Sequence, residues 1–441
     1  MSDQTTVKDT MMNVETTTTV VQPASAAASA AAYLLTLEFP KSRPSAVARE
    51  VRFQQLQQSQ LQLLKNEAMS YLASVRPPTK VRQLGMFAIT ETDYGYSNLT
   101  LEFCELVKAQ ARRHNMQLSP YSYWQMFKPD VIQAAIDGYL LYSNTPLFEE
   151  SAQVQETECW NRVFDLGGPC LFPACVAVNL IKMFHAQKIL DISAGWGDRL
   201  LSACALDCEY WSCDPNPQLR ATYDAIISAF GNKMKQVVLT SAFEHPRAIP
   251  AHSEYDMLLT SPPFFDLELY DTVSSTSSEQ STQKYPQFDQ WLHQFLFVSL
   301  EKSNRYLKRG ATICIHMVDV VRNIKHQRSD VFSTDSYKKS TSSSELPVWV
   351  DSPEKQKAFQ ALQQYRQVAT SRMQTQQQTT IATGPNTCFI VEPMIQFCQR
   401  NLHWRLEGVI GYIKQKNDKS FKLHPKSKQA KVQPLWIFTK L

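Results

Sequence analysis

Residues 188–200 read KILDISAGWGDRL. The apolar run KILDI (188–192) predicts a strand closing on Asp191, Gly195 and Gly197 predict a tight turn, and residues 198–206 predict a helix. In an open parallel sheet, ligands sit at the carboxyl ends of strands, close to helix N-termini. Glycines at such a turn allow positive φ and a close approach of the backbone to the ligand. The next apolar run, YWSCD (210–214), ends in Asp214. A carboxylate about 20 residues beyond the turn can hold both hydroxyls of a ribose. Loop and acid together predict a site for an adenosine-type cofactor.

Outward from this loop, QVVLTS (236–241), YDMLLTS (255–261) and ATICIHM (311–317) are further short apolar runs. Stretches long enough for helices, 217–231 and 288–309, lie between them. Strands alternating with crossovers predict an α/β fold, a parallel sheet covered on both faces. Residues 322–385 interrupt the pattern with a Ser-, Thr- and Gln-rich insertion, expected to be partly disordered. It resumes with a helix at 393–403 and strands at 405–413 and 434–440.

The chain before Gly167 reads differently. Residues 1–32 are Thr- and Ala-rich and predict a disordered tail. Apolar spacing predicts helices over 44–75, 99–114 and 129–142, making 33–165 a mostly helical N-terminal region ahead of an α/β unit at 166–441.

With 441 residues, 43% of them apolar, the chain can bury a sizeable core. Ten cysteines without a C-x-x-C spacing predict free thiols in a reducing compartment rather than disulfides or zinc. No metal site is expected. No apolar run reaches the roughly 18 residues of a membrane span. The start lacks the order of a signal peptide, so the reading is a soluble intracellular protein.

The segment D-I-S-A-G-W-G (191–197) resembles the first motif of class I S-adenosylmethionine-dependent methyltransferases, commonly D-x-G-x-G-x-G, with Ser193 replacing the first glycine. Nucleic-acid amino-methyltransferases often carry D-P-F-A-G-x-G there, so the departure points toward that branch. The GWGDR continuation resembles methyltransferases of large DNA viruses. The resemblance implies a Rossmann-like, seven-stranded, mostly parallel sheet and S-adenosylmethionine as cofactor. It implies cofactor contacts from Asp191, Ser193, Gly195, Gly197 and Asp214. Phe243 and Glu244 stand where the family contacts the adenine, and Phe172, opening FPACVAVNL (172–180), stands near the methionine end.

Ser261-Pro262-Pro263-Phe264 follows the fourth apolar run and is similar to the [D/N/S]-P-P-[Y/F] motif of methyltransferases acting on exocyclic amines of adenine or cytosine. An aryl amine is a weak nucleophile because its lone pair is delocalised into the ring. An acceptor at the first position, with the first proline's carbonyl, can bind both N–H bonds and favour a pyramidal nitrogen. Prolines stiffen the loop, and an aromatic ring can stack on a flipped base. Asp266, Glu268 and Tyr270 lie just beyond, in what reads as an exposed acidic loop.

Charge is uneven. Residues 321–441 hold 19 basic and 8 acidic side chains, whereas the whole chain is only +4. Seven of those lysines fall in 414–431, between the last two predicted strands, and predict a basic rim for the phosphates of DNA or RNA. Two other readings stand beside this one. Glutamine side-chain methyltransferases carry N-P-P-Y at the same place, and a non-catalytic nucleic-acid-binding subunit can keep the fold.

Overall fold

The structure, a computed structural model, describes residues 23–41, 48–64, 81–113, 118–140, 143, 146–165, 169–250, 254–270, 279–321, 387–416, 420–421 and 432–441. The insertion at 322–385 and most of the lysine-rich segment 414–431 lie outside these residues, as does 1–22 of the expected tail.

Helices α1 (Pro23–Thr36), α2 (Arg49–Gln58), α3 (Glu91–Ser97), α4 (Leu101–Gln110), α5 (Pro120–Leu140) and α6 (Ala152–Asp165) precede the main sheet. The Ala-rich segment expected to be disordered through residue 32 is helical from Pro23 onward; α1 docks Leu34 onto α5 and α6 beside Trp124, Val131 and Val163. Of the helix predicted over 44–75, residues 49–58 form α2, while 44–47 and 65–75 lie outside the described residues. α2 ends at Ser59, and the next leucines form β1 (Leu63–Leu64). α5 starts before the predicted 129–142 and bends at Phe127, where Pro129 removes a backbone donor.

Strand β2 (Gln83–Ile89) comes next, then the short β3 (Arg112–Arg113). The sheet proper comprises β4 (Lys188–Asp191), β5 (Glu209–Asp214), β6 (Gln236–Thr240) and β7 (Tyr255–Thr260). It continues, after the two-residue β8 (Glu268–Leu269), with β9 (Leu307–His316). The pair β10 (Val320–Val321) and β11 (Thr387–Cys388) is separate, and β12 (Trp404–Lys416), β13 (Ser420–Phe421) and β14 (Gln433–Lys440) complete the set.

In space the order runs β6-β5-β4-β7-β9-β14-β12. β4 to β7 and β9 are mutually parallel, and β14 is antiparallel to both neighbours. That order, with its single reversed strand, is the Rossmann-like arrangement of class I methyltransferases. Successive side chains of β7 enter opposite cores. Met257 and Leu259 enter the core under α7 (Ala174–Met183), α8 (Asp198–Ala205) and α9 (Arg220–Phe230), while Leu258 enters the opposite core with Trp291 and Leu296. Strands buried on both faces read as continuous apolar runs, as the sequence had them.

β2 extends this sheet: it pairs parallel to β12, with Phe87 opposite Tyr412, and carries β1 on its outer edge. The described residues of 49–64 and 81–113, counted with the helical region, are therefore built into the α/β body. Phe53 stacks on Phe230 at 4.3 Å, and Cys175 N donates to Ser97 Oγ at 2.8 Å. The ten cysteines are free thiols. No described helix is long and apolar enough to cross a membrane, and no cluster of metal-binding side chains occurs among the described residues.

Candidate active site

The β4–α8 turn is held from below. Asp191 is fully buried; its Oδ2 accepts from Arg199 Nε at 2.7 Å and from the Tyr210 hydroxyl at 2.7 Å, and its Oδ1 from Ser193 N at 3.1 Å. Arg199 also donates to the Ser193 carbonyl. Asp191, expected among the cofactor contacts, thus faces inward and fixes the loop's shape.

Gly195 has φ +59, and its N–H donates to Asp214 Oδ2 at 3.0 Å. Asp214 Oδ1 accepts from Asn216 N at 3.0 Å. Each oxygen keeps a lone pair beyond these bonds. Burial pushes the Asp214 carboxyl up to about 6. Gly197 caps α8 with φ +95, and a Cβ there would lie 2.7 Å from Ile226 Cδ1, so both the turn and the packing require glycine.

Ser193 joins this loop to the next. Its hydroxyl donates to the Ser261 carbonyl at 3.1 Å and lies 3.3 Å from the Thr260 hydroxyl. Pro262 is buried and Pro263 half-buried, and Phe265 takes φ +48 while packing against Phe288 and Trp291 at 5.5 and 5.6 Å. A phenylalanine in that region is strained, and such strain collects at functional turns.

Above the loop stands His316, the last residue of β9. Its Nδ1 lies 3.1 Å from Ser261 Oγ and its Nε2 3.4 Å from Gln433 Oε1. The ring meets Phe264 edge-on at 5.1 Å, Phe172 at 5.7 Å and Tyr412 at 5.5 Å. Burial pushes His316 down to about 4, so the imidazole is neutral near neutral pH. Ser261 and Phe264, from one loop, and Phe172, some 90 residues earlier in the chain, thus all lie against His316. His316, Tyr412 and Gln433 were missed; the position of His316 at the carboxyl end of a parallel strand was the available signal.

Past β6 the two expected contacts part. The Phe243 ring is 1% exposed, packed on Trp211 at 6.0 Å and beneath Lys302 Nζ at 4.9 Å, so it presents almost no surface to a ligand. Glu244 pairs Oε1 with Lys284 Nζ at 3.1 Å, whereas its Oε2 is buried without a hydrogen-bond partner. Glu268 and Tyr270, expected on an exposed loop, instead close on each other at 2.9 Å, and Tyr270 meets Trp196 edge-on at 5.9 Å.

No family model matches the chain, and no curated protein does. Among solved structures, similarity extends to TrmN from Thermus thermophilus, at 15% identity over 34% of this chain and 44% of that one, with a TM-score of 0.25. The CcbJ methyltransferase from Streptomyces caelestis matches at 12% identity over 35% of this chain and 51% of that one, TM-score 0.25. A tRNA (m1A58) methyltransferase, TrmI from Aquifex aeolicus, matches at 11% identity over 36% and 50%, TM-score 0.23. The chain spans about half the length of these proteins. The fold assignment rests on the strand order.

Proposed function

We propose that the protein is an S-adenosylmethionine-dependent methyltransferase acting on an exocyclic base amine, adenine N6 or cytosine N4, of DNA or RNA. The observation that carries this reading is the junction of two loops: the Ser193 hydroxyl bonds the Ser261 carbonyl, setting Ser261-Pro262-Pro263-Phe264 directly against the glycine turn. The residues fit the cofactor. Asp214 offers lone pairs for ribose hydroxyls, the Gly195 turn admits close approach, and the unpartnered Glu244 Oε2 supplies an acceptor. Bound S-adenosylmethionine would supply a sulfonium-activated methyl group. The chain's own part is positioning. Ser261 Oγ and the Pro262 carbonyl would accept the amine's hydrogens, Phe264 would stack on the base, and Phe172 and Tyr412 would keep water from the amine. The lysines of 414–431 would hold phosphates.

The test is transfer of labelled methyl to a panel of DNA, capped RNA, transfer RNA and whole-protein extract, with Ser261→Ala and Phe264→Ala beside the wild type. Label in a nucleic acid, lost in both variants, supports the reading. Label confined to protein favours a glutamine side-chain substrate. Cofactor that neither binds nor reacts favours a non-catalytic nucleic-acid-binding subunit.

A further inference from the structure

Ser261 is a weaker acceptor than the aspartate or asparagine that can stand at the first motif position, and a hydroxyl differs from both in carrying a hydrogen of its own. That hydrogen must go somewhere. Aimed at the substrate amine, it would oppose the amine's N–H groups; taken by a neighbour, it leaves Ser261 Oγ as acceptor only.

We propose that His316 is a positioning residue that takes the Ser261 hydroxyl hydrogen and thereby leaves Ser261 Oγ to meet the substrate amine as an acceptor only. The inference rests on the amino-methyltransferase reading above and deepens it. The orientation follows from the partners. Gln433 Oε1, 3.4 Å from His316 Nε2, can only accept, so Nε2 carries the ring hydrogen. A neutral imidazole with its hydrogen on Nε2 has a bare lone pair on Nδ1, and Nδ1 is the atom 3.1 Å from Ser261 Oγ. The hydroxyl therefore donates to the ring.

The surroundings keep the ring neutral and still. His316 is 7% exposed, and aromatic rings from three other segments, Phe172, Phe264 and Tyr412, pack around it. The titratable groups on that side are the Tyr412 hydroxyl of β12 and the Arg199 guanidinium of α8, which sits 5.4 Å from the Phe172 ring. Burial and the Arg199 charge both oppose a second proton on His316. The chain Gln433–His316–Ser261 thus runs from β14 across β9 to the loop after β7.

The experiment has two arms, both on the full chain. In the first, nitrogen-15 NMR of the histidines reads tautomer and titration without any ligand. His316 is expected as the neutral Nε2–H form, unprotonated down to about pH 5; an Nδ1–H form, or titration at the ordinary histidine value, overturns the proposal. In the second arm, kinetics compare the wild type with His316→Phe, which keeps ring packing but removes the acceptor, and with His316→Asn, whose side-chain oxygen restores one. His316→Phe is expected to lower kcat about tenfold or more with the S-adenosylmethionine KM unchanged, and His316→Asn to recover part of it. Equal kcat in wild type and His316→Phe, or no recovery by His316→Asn, overturns the proposal. A wild type that transfers methyl to no substrate overturns the underlying reading instead, whichever tautomer NMR finds.

Discussion

Replacing Gly197 by alanine separates two costs that the structure places on one atom. The residue sits at φ +95, where a Cβ costs about 1–2 kcal/mol against the backbone. The same Cβ would lie 2.7 Å from Cδ1 of Ile226, which is fully buried, so the overlap adds about 1–2 kcal/mol of overpacking. Gly197→Ala is therefore expected to lose about 3 kcal/mol. Ile226→Val deletes Cδ1 and nothing else, and alone costs about 1 kcal/mol. Combined, the alanine methyl enters the space Cδ1 has left, and only the backbone cost remains. The double variant should lie about 1.5–2 kcal/mol below the wild type rather than at the additive value of about 4 kcal/mol. Urea unfolding of the four proteins, with slopes checked for equality, measures the cycle. Additivity within about 0.5 kcal/mol would refute the reasoning, because the two side chains would then not share that space.

Three further outcomes are expected. Arg199→Met leaves the buried Asp191 carboxylate without its ion pair and should cost about 3–5 kcal/mol, part of it recovered by adding Asp191→Asn; urea midpoints check this. His316, lowered from 6.5 to about 4, binds fewer protons folded than unfolded. Its contribution is complete above 6.5 and falls by roughly 3 kcal/mol as pH drops through 4, a loss that His316→Phe should abolish in midpoints measured across that range. Asp198 has the opposite sign: burial raises it from 3.8 to about 7, so stability present below 3.8 is lost as pH rises through 7. Asp198→Asn should therefore gain on the wild type as pH rises, by up to about 4 kcal/mol in thermal or urea unfolding.

The strand-turn-helix at 188–200 was readable because its period, its glycines and its closing acid are all local features. So was the place of Ser261-Pro262-Pro263-Phe264 directly after a strand, which the apolar run before it marks. β2 was not. Its short apolar run LGMFAI fits either a strand or a buried helix by periodicity, and its partner, β12, lies more than 300 residues away in sequence. α2 was overextended because the glutamines after Ser59 continue a helix-favouring composition, while Leu63 and Leu64 leave it to pair with Phe87 and Met86. At the site, residue type was legible and direction was not. Asp191 is turned inward by Arg199 and Tyr210, and Phe243 by Trp211 and Lys302. Tyr412 and Gln433 carry no local pattern, and His316 only its place at a strand end; the three converge because β9, β12 and β14 end or begin at the same edge of the sheet.

The central claim is that the turn after β4 and the acid that closes β5, Asp214, form a cradle for S-adenosylmethionine. Calorimetric titration of S-adenosylmethionine into the full chain, with Asp214→Ala beside it, tests this most directly. The account predicts saturable one-to-one binding by the wild type and binding weakened about tenfold or more in the variant. No binding by the wild type at concentrations of about 1 mM, or equal affinity in both proteins, would contradict it.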